Sequence, residues 1–209
     1  MNESLYKIRD RYMNKDNAIS RIFFFFFGLA VKAFGFACII LSGIGTGAWE
    51  GVYVGLAQRT GLTVGACLIL VGIVILIFNG YLLKHRPRWI SLLTLFLLGS
   101  LIDLWLHFLN VSIMDIQKQI IIFFIGLLFA SVGVGVYLQA GFAMTPLDQL
   151  MYAISKTFGT NLMVAKTMGE FVALIIAILL QGPIGLGTII FTILFGPLIQ
   201  FFLKQFRRG

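Results

Sequence analysis

Charge is what this chain has least of. Only 11% of its 209 residues are Asp, Glu, Lys or Arg, while 59% are hydrophobic. A soluble domain needs more charge than that to cover its surface, so a water-soluble globular fold is excluded. Cysteine is almost missing too. Cys38 and Cys67 both lie in apolar runs, form no disulfide framework or metal-ligand spacing, and read as buried thiols. Strand-like alternation is absent, which argues against a membrane barrel. No Gly-x-Ser-x-Gly or His-Glu-x-x-His signature occurs, so neither an intramembrane enzyme nor a cofactor is expected.

What is present is apolar length. The mean hydropathy is +0.98, and the hydrophobic runs reach about 20 residues, the length a helix needs to cross a bilayer. The net charge of +8 comes from basic residues at the ends of those runs. That is the pattern of membrane topology and not of nucleic-acid binding. The run from Ile22 is too long for a signal peptide and lacks a small-residue cleavage site.

Residues 1–21 hold Lys7, Arg9, Arg11, Lys15 and Arg21, with Leu5, Ile8 and Tyr12 at helical spacing, and are expected to form a cytoplasmic, interfacial lead-in. A first membrane repeat at 22–109 has spans at 22–41, 62–83 and 89–109, the first opening on the Phe23–Phe27 run, which suits lipid contact. A polar extracytoplasmic loop at 110–119 carries Lys118. The second repeat, 120–204, has spans at 120–138, 162–180 and 184–202, with Lys204 near its end and a basic tail at 205–209.

Each repeat also holds a short helix-patterned piece, and the two superpose at a constant offset of 98 (148 − 50; 159 − 61). Glu50 falls on Asp148, Leu56 on Ile154 and Gly61 on Gly159. Thr145-Pro146-Leu147-Asp148 is a helix start with a hydroxyl cap, a proline whose missing N–H costs nothing and an acid at the third position. Gly47 and Glu50 make a weaker copy, and Gly61 and Gly159 sit where a left-handed C-terminal residue is wanted. Such a piece spans roughly 19 Å at 1.5 Å per residue, too short for a bilayer core of roughly 30 Å. The repeat reaches further: Gly99-Ser100-Leu101-Ile102 matches Gly196-Pro197-Leu198-Ile199 at an offset of 97 (196 − 99).

Charge then selects a topology. If both short pieces re-enter without crossing, the two termini, Lys84, Arg86, Arg88 and Lys156 are cytoplasmic, and only Arg59 and Lys118 face outward. If both cross, Lys84, Arg86 and Arg88 face outward, against the positive-inside bias. The predicted fold is therefore all-α: a polytopic membrane protein of six transmembrane helices plus two short re-entrant half-helices, in two inverted repeats. Transporters and channels with inverted repeats form solute sites near the midplane from broken helices.

Glu50 and Asp148, with Thr46 and Thr145 beside them, are the candidate solute-binding residues. An acid at that position equally serves as a helix cap. Lys32 lies about ten residues into its span, roughly 15 Å deep, where an unpaired lysine costs about 2.5–3.5 kcal/mol or more. Its expected partner is Glu170, with Glu50 or Asp148 next, as a gating or coupling pair or a purely structural one. Lys166 is expected to snorkel to the cytoplasmic face. Asp103 and His107 share a helix face; two ligands are too few for a metal, and a helix-end pair or a proton relay are the readings. Glycine clusters at 133–135 and 185–187 read as close helix packing.

Gly47-Ala48-Trp49-Glu50-Gly51-Val52, followed by Gly55-Leu56 and Gly61, resembles the first motif of the bacterial YczE/YyaS/YitT group, commonly Gly-x-x-Pro-Trp-Asp. Thr145-Pro146-Leu147-Asp148-Gln149-Leu150-Met151 resembles the second, Gly-Pro-x-Asp-x-Leu-Met. Ile184-Gly185-Leu186-Gly187-Thr188 through Gly196-Pro197-Leu198 is similar to the closing Gly-x-Gly-Thr…Gly-Pro-Leu segment. Ala48 and Glu50 depart from the usual Pro and Asp. The resemblance covers nearly everything from residue 22 onward and implies an integral membrane protein with a permease role.

Together these readings predict a small secondary transporter in a bacterial plasma membrane, with both termini cytoplasmic. Its partners would be the lipid bilayer and a small solute, proton- or sodium-coupled, and a homodimer is one option for its assembly. Alternatives are a substrate-binding subunit that needs a partner for transport, and a non-transporting scaffold or regulator.

Overall fold

The computed structural model describes residues 18–84, 89–109, 114–142, 145–160 and 162–206. The basic lead-in before residue 18, His85, Arg86, Arg88 and the last basic residues lie outside them. Eight α-helices are described: α1 Ala18–Ser42, α2 Ala48–Thr60, α3 Val64–Leu83, α4 Ile90–Leu109, α5 Ile116–Gln139, α6 Pro146–Phe158, α7 Leu162–Leu179 and α8 Leu186–Gln205. Five of them, α1, α3, α4, α5 and α8, are long and apolar enough to cross a membrane.

Local chemistry sets the helix ends. Asp115 caps α5 by accepting from the Gln117 N–H at 3.0 Å, so the helix starts four residues before the expected span. Thr63 caps α3 in the same way, accepting from the Ala66 N–H at 3.1 Å. The two short helices have 13 residues each and differ in number by 98 at both ends. Both stop at a left-handed glycine, Gly61 at φ 74° and Gly159 at φ 64°, a conformation that costs a side-chain-bearing residue roughly 1–2 kcal/mol.

The core is the crossing of α1 and α5. In their apolar windows 56% of residues are buried, against 17% for α8, so these two helices are the interior and the rest surround them. Glycine permits the approach. A side chain on Gly126 would meet the Gly35 carbonyl at 2.7 Å, and one on Gly133 the Gly28 carbonyl at 2.7 Å. Gly28 thus faces Gly133 while Gly35, further along α1, faces Gly126, earlier on α5: the two helices run antiparallel. These four glycines also correspond pairwise, Gly28 with Gly126 and Gly35 with Gly133, at the same offset of 98 (126 − 28; 133 − 35).

The surrounding contacts keep that correspondence. Helices α1–α4, α2–α3 and α2–α7 pack together, and so do their counterparts α5–α8, α6–α7 and α6–α3. Each short helix is tied to the end of the long helix of the other half. Arg59 donates to the carbonyls of Leu179 at 2.9 Å and Leu180 at 3.1 Å, and Thr157 donates to Leu82 at 3.3 Å. Thr157 is the equivalent of Arg59, and Leu180 that of Leu82. The correspondence is incomplete: α3 and α4 touch through Gly65 and Gly99, whereas a small cleft lies between α7 and α8.

Two expectations change here. The Phe23–Phe27 run is not wholly outward, because a helix turns its residues through all directions. Phe23, Phe26 and Phe27 are exposed, but Phe25 is buried with its ring 5.0 Å from that of Phe142. Lys166 does not snorkel free; it is half-buried, with Nζ beside Gly196 on α8. Both cysteines are buried free thiols, as expected.

Replacing Gly126 by Val is expected to lower stability by about 1–3 kcal/mol or to prevent folding, since both crossing backbones must move apart. Gly61→Asn, at an open left-handed position, should change little. Thermal unfolding in detergent checks both; an unchanged midpoint for Gly126→Val contradicts the crossing.

Candidate functional site

The starts of α2 and α6 present their acids to the same interior. At α6 the local sequence does what its pattern dictates. Thr145 caps the helix, its hydroxyl accepting the Asp148 N–H at 3.3 Å and donating back to Asp148 Oδ2 at 2.7 Å. Tyr137, on the last turns of α5, donates to the same oxygen at 2.6 Å. Asp148 is held by two hydroxyls from two elements. The α6 start is held further by Asn79 of α3, whose side-chain amide donates to the Pro146 carbonyl at 2.8 Å.

The α2 start is built from poorer parts. Gly47 stands where Thr145 stands in the other half, and no side chain caps the helix. Ile39, fully buried, stands where Tyr137 stands. The Glu50 carboxylate is buried and folds back over Gly47 toward its own backbone N–H, with the Phe191 ring of α8 packed against the same side of Gly47. Among the described residues no side chain donates to it. Thr46 is engaged elsewhere: its hydroxyl points to the carbonyls of Gly47 at 3.2 Å and Pro183 at 3.4 Å.

Lys32 is only 7% exposed. Its ammonium lies over two aromatic faces, 4.9 Å from the Tyr137 ring centre and 5.5 Å from that of Phe36. The expected partnership with Glu170 is not formed. The carboxylates close enough to act on Lys32 are those of Asp148 and Glu50, the second choices. The reason is reach: Tyr137, which carries Lys32 on its face, is bonded to Asp148, so the lysine is seated on the α6 side. Glu170 instead shares the α7–α8 cleft with Lys166, Phe191, Thr192 and Phe195. It lies within electrostatic range of Glu50. Tyr53, buried on α2, senses Glu50, Glu170 and Asp148 together.

Lys32, Glu50, Asp148 and Glu170 therefore belong to one interior cluster, with Thr46 and Thr145 at its helix starts. Asp103 and His107 do not. Asp103 accepts from the Gly65 N–H at 2.7 Å and serves as a cap for α3 from the neighbouring helix. His107 is exposed with its ring against Phe108. Tyr137, Tyr53, Asn79 and Phe191 join the site although sequence reasoning did not single them out. Only the offset could have pointed to Tyr137, by asking what stands opposite Ile39.

The sequence matches the family described as "Family of unknown function (DUF6198)" over residues 19–204. The chain belongs to this family. Among its relatives, the "Uncharacterized protein YyaS" of Bacillus subtilis (strain 168) is 34% identical over 183 residues, covering 87% of this chain and 91% of the relative. The "Uncharacterized membrane protein YczE" of the same organism is 34% identical over 192 residues, covering 91% and 89%. An "Uncharacterized protein" of Haemophilus influenzae is 28% identical over 183 residues, covering 87% and 83%. No solved structure matches. With a relative named a membrane protein and five helices of spanning length, this DUF6198 member is a helical membrane protein.

Removing the Tyr137 hydroxyl (Tyr137→Phe) is expected to cost about 1–3 kcal/mol, because Asp148 loses a buried donor. Thr145→Ala should cost about 1 kcal/mol or more as cap and donor go together. Chemical or thermal unfolding of the detergent-solubilised protein measures both, and the double variant should fall short of the sum of the singles. Strict additivity would mean that the two hydroxyls do not share Asp148.

Proposed function

We propose that this protein is a small secondary transporter that binds its solute at the starts of α2 and α6. The observation that carries the reading is the convergence of Glu50 and Asp148, each at the third position of a short helix, on one buried lysine inside a membrane protein. Charges in such a place are costly and mark solute or ion pathways.

Helix lengths support the architecture this requires. At 1.5 Å per residue the 13-residue α2 and α6 reach roughly 20 Å, short of a bilayer core of roughly 30 Å. We take them as half-helices that dip in and return. The 18-residue α7 reaches roughly 27 Å and would be the sixth span. Non-helical backbone at depth is tolerated where protein surrounds it. The linker into α2 meets that condition: the Thr46 N–H bonds to the Pro183 carbonyl at 3.0 Å, and the Gly187 N–H to the Ile44 carbonyl at 2.9 Å.

The antiparallel crossing of the matching helices α1 and α5 supports inverted repeats, as do the reciprocal ties of Arg59 and Thr157. Two halves related in this way can rock against each other about a site that stays fixed between them. With both termini and the loop after α3 in the cytoplasm of a bacterial cell, the positive-inside rule is met.

Reconstitution into vesicles tests the proposal. A panel of small charged solutes should contain at least one that enters faster than into empty vesicles, with a rate that responds to a proton or sodium gradient. Lys32→Ala should reduce that rate tenfold or more. No transport above empty vesicles, with or without gradients, overturns the reading; tight binding without transport would point to a capture subunit that works with a partner.

A further inference from the structure

The two halves have diverged at the one place where a solute would be held. Asp148 is occupied: two hydroxyls end on its Oδ2, at 2.6 and 2.7 Å, and Lys32 sits on the ring of one of those donors. Glu50 has the same position in its own half, with Lys32 within reach but neither hydroxyl partner. Gly47 replaces the hydroxyl cap, Ile39 replaces the tyrosine, and among the described residues no side chain donates to the carboxylate. Glu50 has its own backbone N–H to fold toward and Lys32 within reach, which leaves a buried carboxylate with acceptor capacity that a donor from outside the protein can fill.

The surroundings say what kind of partner. Lys32 is within electrostatic reach of Asp148 and Glu50, and Glu50 of Glu170, Lys32 and Lys166, so acidic and basic side chains alternate around the α2 start. The walls are aromatic. Phe191 lies against Gly47, its ring is stacked on Phe195 at 4.3 Å, and Phe36 lies 6.5 Å from Phe191. Phe36 and Tyr137 already take an ammonium on their faces, that of Lys32. A carboxylate without side-chain donors beside aromatic rings is the chemistry that recognises a protonated amine, through N–H donors to the oxygens and cation–π contact to the rings. The small α7–α8 cleft, lined by Lys166, Glu170, Phe191, Thr192 and Phe195, shares Phe191 with the α2 start.

We propose that the solute is a small amine in its cationic form and that Glu50, not Asp148, receives its ammonium group. Asp148 is the fixed anchor that seats Tyr137 and Lys32; Glu50 is the residue that sets specificity. This rests on the transporter reading and narrows it to a substrate class.

The test is binding to the full chain in detergent with three probes of one shape: 2-phenylethylamine, 3-phenylpropionate and the uncharged 3-phenylpropanol. The amine alone is expected to bind saturably and raise the unfolding temperature. Glu50→Gln should weaken it at least tenfold, and Glu50→Asp should retain part of it. Carboxyl modification of the wild-type chain by a hydrophobic carbodiimide, read by peptide mass spectrometry, gives a readout independent of whether Glu50→Gln folds. The amine should protect Glu50 and leave the labelling of Asp148 unchanged. Equal binding of the propionate, amine binding that survives Glu50→Gln, or protection at Asp148 instead of Glu50 overturns the proposal. Amine binding with no vesicle transport would defeat the transporter reading and leave this site standing. Transport of an anion untouched by Glu50→Gln would do the reverse.

Discussion

The close crossing of α1 and α5 is the constraint on which the rest of the molecule depends. Two helix backbones touch only where no side chain intervenes, and at this crossing that means glycine at 28, 35, 126 and 133. Without a hydrophobic driving force between helices in lipid, such backbone contact is what holds spans together. The crossing fixes more than stability. Lys32 lies between Gly28 and Gly35 on α1, and its backbone lies against Gly133 of α5. Tyr137, one turn further along α5, lies against Gly28. The lysine and the tyrosine that form the floor of the site are thus delivered by the same glycines that allow the helices to meet.

From that floor the candidate site is built by two helix starts with different surroundings. Two helix starts of matching pattern supply one acid each, and the residues around each acid decide what it bonds to. Hydroxyls at Thr145 and Tyr137 lock Asp148 into the structure. Glycine at 47 and isoleucine at 39 leave Glu50 buried with no side-chain donor among the described residues. The same asymmetry recurs at larger scale, where α3 and α4 are sealed by Gly65 and Gly99 while their counterparts α7 and α8 stand apart over a cleft with two charged residues.

Much of this was legible in the sequence, because the signals were local. Gly61, Gly159 and the Thr145–Asp148 cap set the ends of α2 and α6, and the offset of 98 survives in the helix boundaries themselves. Backbone chemistry of this kind acts within a few residues, so a linear string records it. Partnerships across space were less readable. Depth along a span suggested Lys32 with Glu170, but depth is one coordinate of three, and rotation about the helix axis placed Lys32 over Tyr137. Asp103 and His107 share a face on their own helix, yet Asp103 is taken by the Gly65 N–H of a neighbour that one helix's periodicity cannot reveal.

The antiparallel crossing at the centre can be measured directly. Spin labels at Ile22 and Gln139, on the interior-crossing helices at ends that should lie side by side, are expected to give a short distance by pulsed dipolar spectroscopy. Labels at Ile22 and Ile116 should be much further apart, by about the length of α5, roughly 35 Å at 1.5 Å per residue. The opposite order, Ile22 near Ile116 and far from Gln139, would mean that α1 and α5 run parallel, and the paired halves and the shared site between them would not exist.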